Sequence, residues 1–326
     1  MSRPLRFNAA GLWHHVMNRG LEHRSIFVDD LDRDVLLGLL GECRDRWAVR
    51  THAVCLMSNH YHFLLEDPQG HLSRALRHLD AVYTQRFNRR HGRDGPLLRG
   101  RFRSRVVQQE RYALEVVRYI HLNPVAEGLC KRAGDFPWSS HRHYLSGRRP
   151  DWLSVNEMLE PFGGDRAAGR REFDRFVHDR APADVEEELA RERWAPVLGD
   201  RGFVDEMRAL GRRQYPSPSS QLAGARRFLS LTVDEVIASV IAETGMDPAD
   251  LVRGTRGRRN ATRLVAILLC RDRTAATAEE IGAVFGVGRT AVSALRASGA
   301  RLARSDHDAG ALLDSVTRRL AAGMCQ

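Results

Sequence analysis

Cysteine is scarce and unpatterned in this chain of 326 residues. Cys43, Cys55, Cys130, Cys270 and Cys325 are odd in number, widely spaced and never in a Cys-x-x-Cys pair. That excludes a disulfide framework and a zinc knuckle, and it suits a reducing compartment. Lysine is almost absent: of 51 basic residues, all but Lys131 are arginine. Arginine's planar fork grips phosphate bidentately and stacks on bases, although coding bias in a GC-rich genome produces the same excess. Only placement separates the two readings. Acidic residues number 41, leaving a net charge of +10 that calls for an anionic partner, nucleic acid or membrane. Long apolar runs are missing too. None reaches the ~18 residues of a membrane span, and Met1-Ser2-Arg3-Pro4-Leu5-Arg6 has no signal-peptide core. A membrane role is therefore not expected, and the cytoplasm, in association with the nucleoid, is the expected location. No internal repeat or low-complexity tract is visible.

What is present patterns as α+β. Leu12 to Met17 reads as a strand, Asp29 to Trp47 as a helix, and Thr51 to Leu56 and His60 to Glu66 as strands joined by Met57-Ser58-Asn59. Leu72, Ala75, Leu76, Leu79, Val82, Tyr83 and Phe87 recur at helical spacing, Gly100 to Val107 reads as a strand, and a helix from about Glu110 to Leu122 is expected to stop before Pro124. Strand, helix, strand, strand, helix, strand is the order of a ferredoxin-like antiparallel sheet, with the last helix an addition.

The strand Met57-Ser58-Asn59-His60-Tyr61-His62-Phe63-Leu64-Leu65 holds the most informative residues. Alternate residues share a face, so His60 and His62 can present ring nitrogens to one divalent ion if other ligands come from elsewhere. With 14 histidines, about 0.6 His-x-His pairs arise by chance, and His141-Arg142-His143 is a second one. The first lies in an apolar strand and the second follows Pro137 among polar residues, so only the first is expected to bind metal. In the later helix, Tyr119 and Asn123 are four apart and project from one face. A phenol beside a metal-bound phosphate is a competent nucleophile, and an amide oxygen suits the hard ions Mg²⁺ and Mn²⁺. From spacing alone a packed tyrosine and a pre-proline terminator are the commoner reading. Tyr112, seven residues earlier, is the rival nucleophile.

Three motifs in order, the histidine strand, Gly95-Pro96-Leu97-Leu98-Arg99-Gly100-Arg101-Phe102, and Tyr119-Ile120-His121-Leu122-Asn123-Pro124-Val125, resemble the single-tyrosine HUH transposases, and within them the REP-associated tyrosine transposases. The resemblance covers roughly residues 7 to 145. It implies a metal-dependent DNA endonuclease and strand transferase, with His60, His62 and Asn123 holding Mg²⁺ or Mn²⁺ and Tyr119 forming a 5′-phosphotyrosine with single-stranded or hairpin DNA. Asn18-Arg19-Gly20 and Ile26-Phe27 also resemble the family's N-terminal region. Ser58 stands where the family commonly has proline, and Leu98-Arg99 where Phe-Gln is usual. A non-catalytic DNA- or RNA-binding regulator on the same scaffold is the alternative, and a zinc hydrolase a further one.

Arg99, Arg101, Arg103 and Arg105 fall at period two, so one strand face would carry all four toward phosphates while Phe102 and Val106 face inward. Further along, Tyr215-Pro216-Ser217-Pro218-Ser219-Ser220 reads as a linker. Thr277 to Leu295 reads as helix, glycine turn, helix, a helix-turn-helix or a plain helical hairpin. With the basic run Leu251 to Asn260 before it, this region resembles the C-terminal DNA-binding domain of the bacterial replication initiator. The resemblance implies duplex DNA contact through Arg258, Arg259, Arg289 and Thr290. The expected organisation is a catalytic domain over 1–150, a charged helical connector over 151–222 and an all-α DNA-binding domain over 223–326.

Overall fold

The computed structural model describes residues 6–191, 195–215, 227–253 and 260–323. They divide into two units, one ending at Asp205 and one beginning at Glu206.

In the first unit the order is β1 (Leu12–Arg19), α1 (Asp30–Trp47), β2 (Arg50–Leu56), β3 (His60–Asp67), α2 (Leu72–Arg90), β4 (Arg103–Val107) and α3 (Gln109–Ala126). The short helices α4 (His141–Ser146) and α5 (Asn156–Leu159) come next, then α6 (Ala167–His178), α7 (Pro182–Arg191) and the two-residue β5 (Val197–Leu198). The sheet order is β2-β3-β1-β4-β5, antiparallel except where β5 runs parallel to β4. Its first four strands have the ferredoxin-like arrangement; β5 was not foreseen, because two residues give no periodicity.

Each face of the sheet buries a separate core. On one, Val16, Val54, Leu56, Tyr61, Phe63 and Leu65 meet α1 and α2, whose buried stripe is Leu36, Leu39, Leu40, Leu72, Leu76, Leu79, Tyr83 and Phe87. Each fully buried leucine or phenylalanine contributes about 2 kcal/mol from lost apolar surface. On the other face, Trp13, Ala53, Cys55, Leu64 and Val107 meet Val116, Val117 and Ile120 of α3, together with residues of α5 to α7. The added helix therefore covers the face that a bare four-stranded sheet would leave open.

Two boundaries differ from the periodicity. β4 begins at Arg103, so Arg99 and Arg101 precede the strand: Gly100 sits at φ +144°, and its carbonyl accepts from Asn18 Nδ2 at 3.1 Å. The extended face of four arginines is therefore shorter than expected, although Arg101 and Arg103 are exposed and Phe102 and Val106 are buried as read. Helix α3 does not stop before Pro124 but continues to Ala126. Proline removes one hydrogen bond to the preceding turn; burial of Leu122, Asn123 and Pro124 holds the turn, and Glu127 N–H still donates to the Asn123 carbonyl.

The second unit is helical, and α8 (Arg201–Gln214) spans the division. It continues with α9 (Val233–Thr244), α10 (Pro248–Val252), α11 (Ala261–Arg273), α12 (Ala278–Phe285), α13 (Arg289–Ser305) and α14 (His307–Gly323). Capping boxes at Thr232/Glu235 and Thr277/Glu280 start α9 and α12. Helix α12 ends on Gly286 at φ +62°, a left-handed position that a side chain would strain. Val236, Val240, Val265, Ile267, Ile281, Phe285, Val292 and Val316 form this unit's own core. Of the expected linker, Tyr215 follows the end of α8 and Pro216 to Ser220 lie outside the described residues.

Candidate active site

Register places the site residues. In the antiparallel pairs His62 lies opposite Met17 and Met17 opposite Arg103, while His15 lies opposite Leu64 on one side and Arg105 on the other. Residues opposite one another share a face, so His60, His62, His15, Arg103 and Arg105 all stand on the α3 side of the sheet. Tyr61, between the two histidines, points the other way and is buried, its hydroxyl donating to Asp80 Oδ1 at 2.7 Å.

The two histidine rings are 5.0 Å apart between centroids. Each has its Nδ1 engaged by a neighbour. His60 Nδ1 donates to Asn59 Oδ1 at 2.7 Å, and His62 Nδ1 is 3.0 Å from His15 Nε2. Nε2 of each is thus the nitrogen left for a ligand. Burial holds His60 below the usual imidazole range, partly offset by the Glu127 carboxylate and the Asn123 amide, and it holds His62 well below, helped by His15 and His60. Both rings are neutral near pH 7 and offer lone pairs.

Helix α3 meets this strand at two points. The Tyr119 ring stands edge-on to His62 at 5.5 Å and to His15 at 5.6 Å. One turn on, Asn123 is buried close enough to His60 for its amide to favour that imidazolium, but its Oδ1 has no well-formed hydrogen bond. An unpartnered buried amide oxygen costs about 1–3 kcal/mol, so a cation at that position would relieve it. Two neutral imidazoles and an amide oxygen fit a divalent ion with positions open to substrate and water. Tyr112 packs on the core under α3 and makes no ring contact with His60 or His62. Sequence reasoning missed His15 and Asn59 as partners of the histidines; their adjacency depends on strand register, although Asn59 stands next to His60 in the chain.

The other His-x-His pair has a different setting. His141 is fully buried; its Nδ1 is 3.1 Å from His121 Nδ1, and its Nε2 3.0 Å from Asp174 Oδ1. His141, Asp174 and His178 lie close enough together for one ion. Each is already engaged, however: His178 Nδ1 donates to the Asp174 carbonyl, its Nε2 accepts from Ala133 N–H at 3.3 Å, and Arg132 pairs with Asp174. The cluster works as an anchor for α3, since His121 lies between Tyr119 and Asn123 and its Nε2 reaches Ser140 Oγ at 2.8 Å. His143 lies at the edge of this region, bonded through Nδ1 to the Arg148 carbonyl.

On the opposite side of the sheet, Arg90 is bound to Asp29 and Asp32, and Arg86 to Glu42. Arg289 and Thr290 are exposed in the first turn of α13. Arg258 and Arg259 lie outside the described residues. Among the described residues no helix is long and apolar enough to cross a membrane.

Residues 8–123 match the family model "Transposase IS200 like". A putative REP-associated tyrosine transposase of Haemophilus influenzae is 25% identical over 153 residues, covering 41% of this chain and 87% of the relative. A solved REP-associated tyrosine transposase bound to a REP hairpin is 20% identical and covers 48% of this chain and 93% of its own, at a TM-score of 0.39. Residues 8–123, which carry His60, His62, Tyr119 and Asn123, are thus similar to the IS200-like transposases, and a longer stretch of the chain is similar to a putative REP-associated tyrosine transposase.

Proposed function

We propose that the protein cleaves and rejoins single-stranded or hairpin DNA through a 5′-phosphotyrosine at Tyr119. The observation that carries this reading is the convergence of α3 on β3: the Tyr119 ring against His62, and the unpartnered Asn123 Oδ1 one turn further beside His60. A divalent ion, Mg²⁺ or Mn²⁺, would be held by His60, His62 and Asn123 and would supply Lewis acidity to a non-bridging phosphate oxygen. Tyr119 Oη attacks phosphorus and loses its proton; the 3′-oxygen leaves and gains one. One P–O bond forms as another breaks, so the phosphotyrosine keeps the bond energy and a second 3′-hydroxyl can reverse the step. Arg101, Arg103 and Arg105, at and beside β4, supply positive charge along the same approach, with Arg99 just before them. At the other unit, α12, the turn through Gly286 and α13 would bind duplex DNA, with Arg289 and Thr290 at the leading end of α13.

The test is trapping of a covalent protein–DNA adduct on single-stranded hairpins drawn from the flanking genome, with Mg²⁺ or Mn²⁺. Wild type forms the adduct, and Tyr119→Phe binds DNA but does not. An adduct that survives Tyr119→Phe and disappears in Tyr112→Phe refutes the assignment. His60→Ala and His62→Ala each suppress cleavage, and undiminished divalent-dependent cleavage in the double variant removes the ligand set.

A further inference from the structure

We propose that His15 is a positioning residue for the histidine pair: its Nε2 accepts the Nδ1 proton of His62 and fixes the tautomer in which His62 Nε2 is bare. The proposal rests on the reading of His60, His62 and Asn123 as ligands.

His15 and His62 are both buried, their rings stack at 5.3 Å with 24° between planes, and the nitrogens are 3.0 Å apart. Two neutral imidazoles sharing one hydrogen bond have two arrangements. If His15 Nε2 carries the proton, His62 must turn its lone pair toward His15 and carry its own proton on Nε2, where it can bind no ion. If His62 Nδ1 carries the proton, Nε2 is free to ligate. His60 already has the second arrangement, because the Asn59 amide oxygen on its Nδ1 can only accept. With His15 as acceptor, the two rings match: each is anchored through Nδ1 and presents Nε2. Residues that orient a ligating histidine through its other nitrogen typically alter metal affinity 10–100-fold when removed.

Register explains how β1 delivers this contact. His15 is two residues from Met17, the cross-strand neighbour of His62, and so lies diagonally across on the same face. The same ring meets the edge of Tyr119, so it also supports the wall on which the phenol rests.

The experiment uses full-length His15→Phe, which keeps an aromatic ring and removes the acceptor, and His15→Gln, which retains an amide oxygen. Thermal melts establish that each is folded. Mn²⁺ affinity is measured by calorimetry on the DNA-free protein, and the His62 tautomer by ¹⁵N NMR of histidine-labelled protein without metal. The expected result is a Mn²⁺ affinity 10–100-fold weaker in His15→Phe, partly restored in His15→Gln, and a wild-type His62 protonated on Nδ1 that becomes a mixture in His15→Phe. Mn²⁺ affinity within twofold of wild type in folded His15→Phe, or a wild-type His62 protonated on Nε2, overturns the role of His15. If that happens while His60→Ala abolishes Mn²⁺ binding, the ligand set stands and His15 alone is wrong. Binding of Mn²⁺ that is indifferent to His60→Ala refutes the ligand set and the positioning role together.

Discussion

His14 and His15 are neighbours on β1 with opposite fates. His15 faces the site, whereas His14 faces the other side of the sheet, fully buried, with neither ring nitrogen hydrogen-bonded. Burial pushes its pKa down to about 3. The unfolded chain protonates this ring below about 6.5 and the folded chain does not. This group therefore takes nothing more from stability above that pH, and stability falls as pH drops toward the folded value. His15 acts in the same direction, lowered to about 3 by burial and by Arg105. His14→Leu should raise stability at pH 7 by about 1 kcal/mol or more, because it removes unsatisfied buried nitrogens. Its melting temperature should also fall less steeply than that of wild type between pH 6.5 and 4.5. Melts of the two proteins across that range decide the matter; equal acid sensitivity would contradict it. In the sequence the two histidines are indistinguishable, since a six-residue apolar run does not say which face is which. His60 and His62 were legible because alternation alone puts them together, while the partner of His62 needed the pairing of β1 with β3.

At the scale of the element, α3 carries half of the candidate chemistry, the nucleophile and one ligand. Four-residue spacing put Tyr119 and Asn123 on one face, and the structure turns that face toward His60 and His62. What the helix rests on was hidden: the chain from Ser140 through His121 and His141 to Asp174 joins residues 34 positions apart that share no motif. His141→Ala strands His121 Nδ1 in a buried setting and takes one of its partners from Asp174, and should cost about 1–3 kcal/mol. His143→Ala, at the edge of the region, should stay within about 0.5 kcal/mol. Chemical denaturation of both variants provides the comparison, and similar losses would mean that the network does not anchor the helix. Strand β4 makes a separate prediction. Arg101 and Arg103 are exposed, and Arg103 stands on the histidine face of the sheet, so replacing both with serine should weaken single-strand binding. It should also reduce the slope of log affinity against log salt by about 0.7 per lost phosphate contact. An unchanged slope would make these arginines a solvated face, the reading that coding bias alone supports.

For the whole molecule the question is where one unit ends. A Pro/Ser-rich stretch invites a cut after residue 222, but the contacts divide the chain at Asp205/Glu206, inside α8. The reason is Arg212. Its guanidinium is buried, donates to the Leu229 and Ser230 carbonyls, and pairs with Glu235 at 2.7 Å. Burial alone would raise the Glu235 carboxyl, yet Arg212 and the capping box at Thr232 hold it down to about 2. The later half of α8 thus belongs with the C-terminal helices, and no local pattern reveals it because Arg212 looks like any helical arginine. A protein ending at 222 keeps Arg212 without its partners, whereas one ending at 205 keeps β5, Gln108 bonded to Asp200, and all of the sheet. Residues 1–205 should therefore express as the better-behaved fragment by size-exclusion chromatography, and should retain Tyr119-dependent cleavage of a short single strand. Binding to longer DNA that includes duplex should fall more than cleavage does, since tethering two binding modules raises effective concentration on one molecule. If 1–205 folds but cannot cleave even a short single strand, the helical unit contributes to the active site and the division of labour is wrong. If 1–222 behaves as well as 1–205, Arg212 does not bind α8 to the second unit with the strength its partners imply.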